Sequence, residues 1–531
     1  MKKTILSLFS SCCLFFQTAD AQLQTGENVG VTSTDAGKVR GYINNGIVTY
    51  KGIPYAEAKR FESPQKPKPW KNVRSSFSFG PVAPLMDPTT SIMDESEFVF
   101  DHSWGFTNED CMRINVWTPG INDGKKRPVM FWIHGGGFTA GSSQELPSYD
   151  GENLAKKGDV VVVSINHRLN ILGYLDLSTY GEKYKQSANL SILDMKSALE
   201  WVKINISNFG GDPNNVTIFG QSGGGAKVNT LMAMPSAKGL FHKAINQSGA
   251  FRTTMLDKAT TQAIGAEVMK ELGISPEKVD DIQKVPYQTL SDAGKKAIKT
   301  ISDKMKAEGK PVIGLSWGPS ADSEVLPYQL FSNEAFELSK NIPLMIGTTI
   351  NEFSVFRGGM PINSTNEQAI EAIKKVYGDK SDAYIAAVKK AYPSGKMTDM
   401  LSYDTMFRPG AVVQANQKSA VAGSAPVYMY LFDWQSPVMD GKYKAVHCME
   451  IAFCFDNIQR TKNMTGGTKE AQALADKMSQ SWINFAKVGN PNHKGLPTWP
   501  IYNSSNTATM HFDNTCVIKP QMDKELFELI K

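Results

Sequence analysis

The sequence predicts an α/β fold with a large, mostly parallel central sheet, and three observations carry that prediction. Val129 to Ile133, Val160 to Val163 and Val216 to Phe219 are short, continuous, largely β-branched or aromatic runs, as strands buried on both faces require. Between the second and third runs, Leu190, Ile192, Leu193, Ala198, Leu199 and Val202 recur at helical spacing, giving the strand–helix–strand unit of a parallel sheet. Glycine-rich turns follow the first and third runs, where a sheet strand hands over to a loop or helix.

The elements follow in chain order. Val29 to Val31, Val39 to Ile43 and Ile47 to Tyr50 read as short strands punctuated by Gly30, Gly37, Gly41 and Gly46. Residues 62–110 are rich in proline, serine and acidic side chains and read as loops. A helix is expected over Ala226 to Met234. Thr260 to Leu272, Pro276 to Lys284 and Ser291 to Lys306 form a lysine-rich helical insertion, about 255–310, and residues 365–392 a second. Pro343 to Gly347 and Val427 to Trp434 read as further strands. Residues 468–488 form an amphipathic helix with Ala471, Leu474, Met478, Trp482 and Phe485 on one face.

Composition bounds the function. The chain has 531 residues, 41% hydrophobic and 21% charged, an ordinary globular balance that excludes disorder, collagen and coiled coil for the whole chain. With 57 basic and 52 acidic residues and no dense basic stripe, nucleic acid is a poor default partner. No apolar run reaches the ~18 residues of a membrane span. Lys2 and Lys3, the apolar stretch Ile5 to Phe16 and Ala19-Asp20-Ala21 form the three-part pattern of a secretory signal, residues 1–21. Cleavage after Ala21 leaves a net charge of about +4 and a secreted or periplasmic chain. Lipid attachment at Cys12 is the lesser alternative, because Phe9 stands where a lipobox usually has Leu.

Cys111, Cys448, Cys454 and Cys516 then remain, too dispersed for a disulfide framework or zinc pattern. Free thiols are expected, with one bridge possible. No two histidines sit at a zinc-binding spacing, so no metal is expected, and the serine chemistry read below needs no organic cofactor.

Two motifs point to chemistry. Gly220-Gln221-Ser222-Gly223-Gly224 sits between a strand and a helix, the context of a nucleophile elbow. Glycines leave room for a strained turn that lifts the Ser222 hydroxyl out at a helix N-terminus. The bland alternative is a tightly packed or phosphate-binding glycine turn. His134-Gly135-Gly136-Gly137-Phe138 follows the first strand run and suits a set of backbone N–H donors for a tetrahedral oxyanion. A plain turn is its alternative. The N–H of Gly223, after the nucleophile, would be the third donor.

Serine needs a base, and the order expected here is serine, acid, histidine. His242, His447, His493 and His511 lie downstream. His242 is too near in sequence, and no acid-bearing strand end is evident beside His493 or His511. His447 follows the strand Val427 to Trp434, although a lone histidine is more often structural. Glu352 follows Pro343 to Gly347 by a short loop. Asp322 and Glu324 remain rival acids from spacing alone.

The elbow, the glycine run, Asn108-Glu109-Asp110-Cys111 with Asn115-Val116, and Phe209-Gly210-Gly211-Asp212-Pro213 together resemble the type-B carboxylesterases, relatives of the cholinesterases. Gly489-Asn490-Pro491-Asn492 and Trp499-Pro500 are similar to that family's closing segment. The resemblance runs from about Val31 to near the C-terminus. It implies a single α/β-hydrolase domain over 22–531, its helical insertions forming a cap around a gorge. It implies Ser222, Glu352 and His447 as triad, Gly136, Gly137 and Gly223 as oxyanion donors, and a small-molecule ester as substrate. It further implies that Arg168 pairs with Asp194 and that Glu109 lies in an ion pair. Three positions depart from the family: Gly223 stands where Ala is frequent, Gln221 where cholinesterases have Glu, and Ala83 where Cys111 would find a disulfide partner. The cholinesterase cation-binding tryptophan has no counterpart, since Trp104 lies only nearby, so choline esters are not favoured. The rival functions are a non-catalytic binding protein on the same fold and a hydrolase of specialised esters such as acetylated sugars.

Overall fold

A computed structural model describes residues 23–85, 94–251, 254–310, 312, 315–322 and 324–531. The expected signal segment and Cys12 lie outside the described residues.

The continuous apolar runs become the centre of a twelve-stranded sheet. Its strands are β1 (Leu23–Gln24), β2 (Tyr42–Asn44), β3 (Ile47–Pro54), β4 (Arg113–Thr118), β5 (Arg127–Ile133), β6 (Val161–Asn166), β7 (Gly211–Gln221), β8 (Lys243–Gln247), β9 (Leu344–Thr349), β10 (Val427–Phe432), β11 (Thr509–Phe512) and β12 (Val517–Lys519). The spatial order is β1-β2-β3-β4-β6-β5-β7-β8-β9-β10-β11-β12. Pairing is parallel from β6 through β11 and antiparallel at both flanks. Every residue of β4, β6, β8, β9, β10 and β11 is buried, as strands covered on both faces must be.

Helices α1 (Glu152–Gly158), α2 (Leu190–Asn205) and α3 (Gly223–Met232) connect consecutive strands between β5 and β8. Longer excursions leave β8 and β9. The first carries α4 (Lys258–Glu271) and α5 (Tyr287–Ala307), and the second α6 (Asn366–Tyr377), α7 (Ser381–Ala391) and α8 (Arg408–Ala420). Asp257 caps α4 by accepting from the Thr260 N–H at 2.8 Å. Thr365 and Gln368 form a capping box on α6, which satisfies two otherwise orphaned donors. The amphipathic helix is α9 (Lys469–Val488), with Thr468 as N-cap and Gly489 ending it at φ 74°. Among the described residues no helix is long and apolar enough to cross a membrane.

The predicted early strands shift: Val29–Val31 is replaced by Val31–Ser33, and Val39–Ile43 divides into Lys38–Arg40 and β2. The segment 62–110 also holds the short strand Arg74–Ser75 and a helix over Asp94–Phe100. Pro276–Lys284 is a 3-10 segment with a kink at Lys278.

Arg168 and Asp194 form a buried two-point pair, at 2.9 Å from Nε and 2.6 Å from Nη2. Glu109 pairs with Arg60. Among the described residues, Cys111, Cys448, Cys454 and Cys516 are free thiols. Cys111 packs against Ala83 and Leu169 in a small apolar cluster, so a van der Waals contact stands where the family would have a bridge. Asn205, one of the Asn-x-Ser/Thr sites at 205, 215, 363 and 463, is buried and donates to Asp35, which closes it to a glycan. Removing one side of a buried pair leaves an uncompensated charge, so Asp194→Ala is expected to cost about 3–5 kcal/mol. Unfolding by denaturant checks this, and an unchanged midpoint would refute a structural role for the pair.

Candidate active site

Ser222, Glu352, His447 and the glycine run all lie just beyond the carboxyl ends of parallel strands: β7, β9, β10 and β5 respectively. Ligands of open α/β sheets bind at this edge. Parallel register brings the ends level, with Gly220 opposite Ile133, Gln221 opposite Gln247 and Thr349 opposite Phe432.

Ser222 turns the chain from β7 into α3 at φ 57°, ψ −124°. A residue with a β-carbon stays there only when its surroundings hold it, at a cost of about 1–3 kcal/mol. Here its N–H donates to the Gln247 carbonyl at 2.8 Å, and its carbonyl accepts from Ala226 N–H at 3.0 Å. A methyl group on Gly224 would collide with the Ile133 carbonyl, and one on Gly223 with the backbone of Gly137. The elbow and the glycine run therefore touch through Gly223 and Gly137. Gly223→Ala is expected to push that run aside and lower kcat at least about tenfold, because small misplacements of aligned groups are costly. Steady-state kinetics test this, and an unchanged kcat would show that the run yields freely.

Gly136 and Gly137 have φ 78° and 61°, open to glycine without steric cost. The Gly136 carbonyl accepts the N–H groups of Thr139 at 3.3 Å and Ala140 at 3.0 Å, which fixes the orientation of the following peptide.

The Glu352 carboxylate is bonded to His447 Nδ1 through Oε2. Its Oε1 accepts from Ser248 Oγ at 2.6 Å and from Thr349 N–H at 2.9 Å. The backbones also join, His447 N–H donating to the Glu352 carbonyl at 3.2 Å. Gln221, the residue before Ser222, has Nε2 3.3 Å from each ring nitrogen of His447. The imidazole thus lies against the elbow. Phe353 and Phe407 flank the ring at centroid separations of 4.1 and 5.0 Å, and Phe251 packs on Phe407.

Two further carboxyls surround Glu352. Burial, then the Glu352 charge, raise Glu450 to about 8 and Asp404 to about 7. Glu450 is thereby held mainly protonated at neutral pH. Burial pushes the Cys448 thiol well up, making it a poor nucleophile.

The rivals lie elsewhere. Asp322 accepts three successive backbone N–H groups, from Glu324, Val325 and Leu326, and Glu324 faces Lys185. His242 accepts from Val216 N–H near the start of the apolar part of β7, away from the elbow. His493 bonds the Lys477 carbonyl. His511 is a correction: it has an acid partner, Asp433, at 2.6 Å. That pair spans β10 and β11, and was invisible because Thr509–Phe512 carries no long apolar run. It lies on the fourth strand from the one that bears Ser222. Sequence reasoning missed Ser248, Phe353 and Phe407; Ser248 follows β8, a strand with no long apolar run, so no local signal marked it.

The chain is similar to known proteins over nearly its whole length. A family model described as the carboxylesterase family matches residues 28–529. The chain is 36% identical over 507 residues to the para-nitrobenzyl esterase of Bacillus subtilis (strain 168), covering 93% of this chain and 97% of that protein. It is 30% identical over 496 residues to the phenmedipham hydrolase of Pseudarthrobacter oxydans, covering 90% and 94%. An esterase from anaerobic Clostridium hathewayi, described as able to hydrolyse aliphatic aromatic polyesters, superposes with a TM-score of 0.84 at 37% identity, covering 95% of this chain and 98% of that one. A match over nearly the whole length, on a sheet of this topology, means that the chain belongs to the carboxylesterase family, as a type-B carboxylic-ester hydrolase with the α/β-hydrolase fold.

Proposed function

We propose that residues 22–531 act as one exported catalytic unit that hydrolyses small carboxylic esters through Ser222, His447 and Glu352. The observation that carries this reading is the Glu352–His447 pair lying against the elbow of Ser222. Ser222 Oγ attacks the ester carbonyl and gives its proton to His447. The charge on the carbonyl oxygen rests on the N–H groups of Gly136, Gly137 and Gly223. His447 passes its proton to the departing alcohol. It then takes one from water, which attacks the acyl-enzyme, and returns it to Ser222 Oγ as the acid leaves. Glu352 holds the imidazole with Nδ1 protonated and offsets its transient positive charge.

The phenylalanines beside His447 favour esters with an aromatic acyl or alcohol group, since ring pairs at such separations add about 0.5–1.5 kcal/mol. The names of the para-nitrobenzyl and aromatic-polyester relatives are in keeping with this.

A fluorophosphonate probe tests the nucleophile. Stoichiometric labelling of the peptide containing Ser222, with parallel loss of p-nitrophenyl ester hydrolysis, is expected. Labelling elsewhere, or activity surviving full labelling, would overturn the assignment. A folded chain that neither labels nor hydrolyses any ester would favour the binding-protein alternative.

A further inference from the structure

The amine of Lys227 lies beside the site, and the reaction above does not use it. Lys227 lies on the second turn of α3 and is fully buried. Its Nζ donates to the carbonyl of His134 at 3.1 Å and to that of Gly135 at 3.4 Å. His134 Nδ1 also lies 3.0 Å from the Gly135 carbonyl.

A carbonyl shares its rigid plane with the next residue's N–H. Holding the Gly135 oxygen therefore aims the Gly136 N–H, and holding the Gly136 oxygen aims the Gly137 N–H. The third donor, Gly223 N–H, shares its plane with the Ser222 carbonyl. Each of these three carbonyls is anchored on the side away from its N–H. Backbone N–H groups of Thr139 and Ala140 hold Gly136, and that of Ala226 holds Ser222. Gly135 alone relies on side chains, His134 and Lys227. A hydrogen bond accepted at the carbonyl also polarises the peptide and strengthens its N–H as a donor.

We propose that Lys227 is a positioning residue for oxyanion stabilisation, orienting and polarising the Gly135–Gly136 peptide from behind. The inference rests on the proposed function.

Lys227 also has a structural share, since a hydrophobic side chain of similar volume would leave the buried His134 and Gly135 carbonyls short of a donor; only a readout specific to the oxyanion separates the two roles. Burial lowers Lys227 to about 7, opposed by Glu145, itself raised to about 7 by its own burial. His134 and His167, stacked at 4.9 Å beside this amine, are both held well below their ordinary value, by burial first and then by the Lys227 charge. Lys227 donates to the loop in either protonation state, since amine and ammonium both carry N–H.

The test uses the full mature chain and its Lys227→Met and Lys227→Gln variants. Removing a whole oxyanion donor costs about 10²–10³ in kcat, so misaiming one is expected to cost Lys227→Met roughly 10–100-fold. KM should change little, because the interaction matures in the transition state. The thermal midpoint should fall, because two buried carbonyls lose a donor, so kcat is read per phosphonate-titrated site. Lys227→Gln, which keeps a neutral donor, should fall between. The deciding readout is the kcat/KM ratio of an ester to its thionoester, whose sulfur accepts the donors poorly. That ratio does not depend on how much protein is correctly folded. It should shrink by the same factor as kcat in Lys227→Met. A wild-type ratio, or a normal kcat per phosphonate-titrated site, would overturn the proposal. Inactivity of the wild-type chain itself would count instead against the function on which it rests.

Discussion

Replacing Ser222 with alanine is expected to lower kcat for p-nitrophenyl ester hydrolysis by on the order of 10⁴–10⁶, with the fold intact. The effect is large because every later step needs the bond that Ser222 Oγ forms. The remaining donors and binding contacts still leave some rate above that in water. The fold is expected to survive because the elbow is held by main-chain contacts, to the Gln247 carbonyl and the Ala226 N–H. Alanine preserves both. It also keeps the β-carbon in the same φ/ψ region, so backbone strain is unchanged. Kinetics beside a thermal melt decide the matter. A folded variant retaining more than a few per cent of wild-type kcat would remove Ser222 from the mechanism.

Glu352→Gln is expected to cost about 10⁴ in kcat, and the hydrogen bonds around the carboxylate say why. Oε1 meets two donors, Ser248 Oγ and Thr349 N–H. A glutamine must present its carbonyl to them, which turns its NH₂ toward His447 Nδ1. That nitrogen must then accept, so the ring proton moves to Nε2. Nε2 is the atom that should receive the serine proton, and it is then occupied. KM should change little, since the substitution acts on the base. Loss of activity matched by loss of folded protein would instead make Glu352 a structural residue. A kcat within tenfold of wild type would exclude it as the triad acid.

What the sequence made legible depended on how each residue is satisfied. β5, β6, β7, β9 and β10 were visible because their neighbours on both faces are apolar, which demands apolar runs. β4 and β8 were not, because they bury polar side chains inside private networks. Asn115 on β4 donates to Ser143 and Ser164. On β8, Asn246 reaches Asn229 and Gln414, while Gln247 reaches Glu450 and accepts from Trp482. Such partners lie 17–235 positions away, and no local pattern announces them.

The candidate site divided in the same way. Ser222 and the glycine run are local motifs, where steric need writes itself into neighbouring residues. Glu352 and His447 are single side chains made meaningful by distant strands, and spacing alone left Asp322 and Glu324 in contention. Resemblance to the carboxylesterases chose between them, and in the structure it is Glu352 that bonds His447. The identity of Gln221 was noted as a departure, but its place against the imidazole is a matter of three-dimensional register.

The order in which the site residues leave the ribosome has a biological consequence. The glycine run and Ser222 emerge early, Glu352 more than a hundred residues later, and His447 later still, with β11 and β12 yet to pair beyond β10. At synthesis rates of about 5–20 residues per second, more than about ten seconds separate Ser222 from His447. During that interval the chain lacks the base that the proposed mechanism requires. On that mechanism, a ribosome that stalls or a protease that trims before residue 447 releases a fragment without ester turnover. Ester turnover therefore appears as a single late event and reports on completed chains.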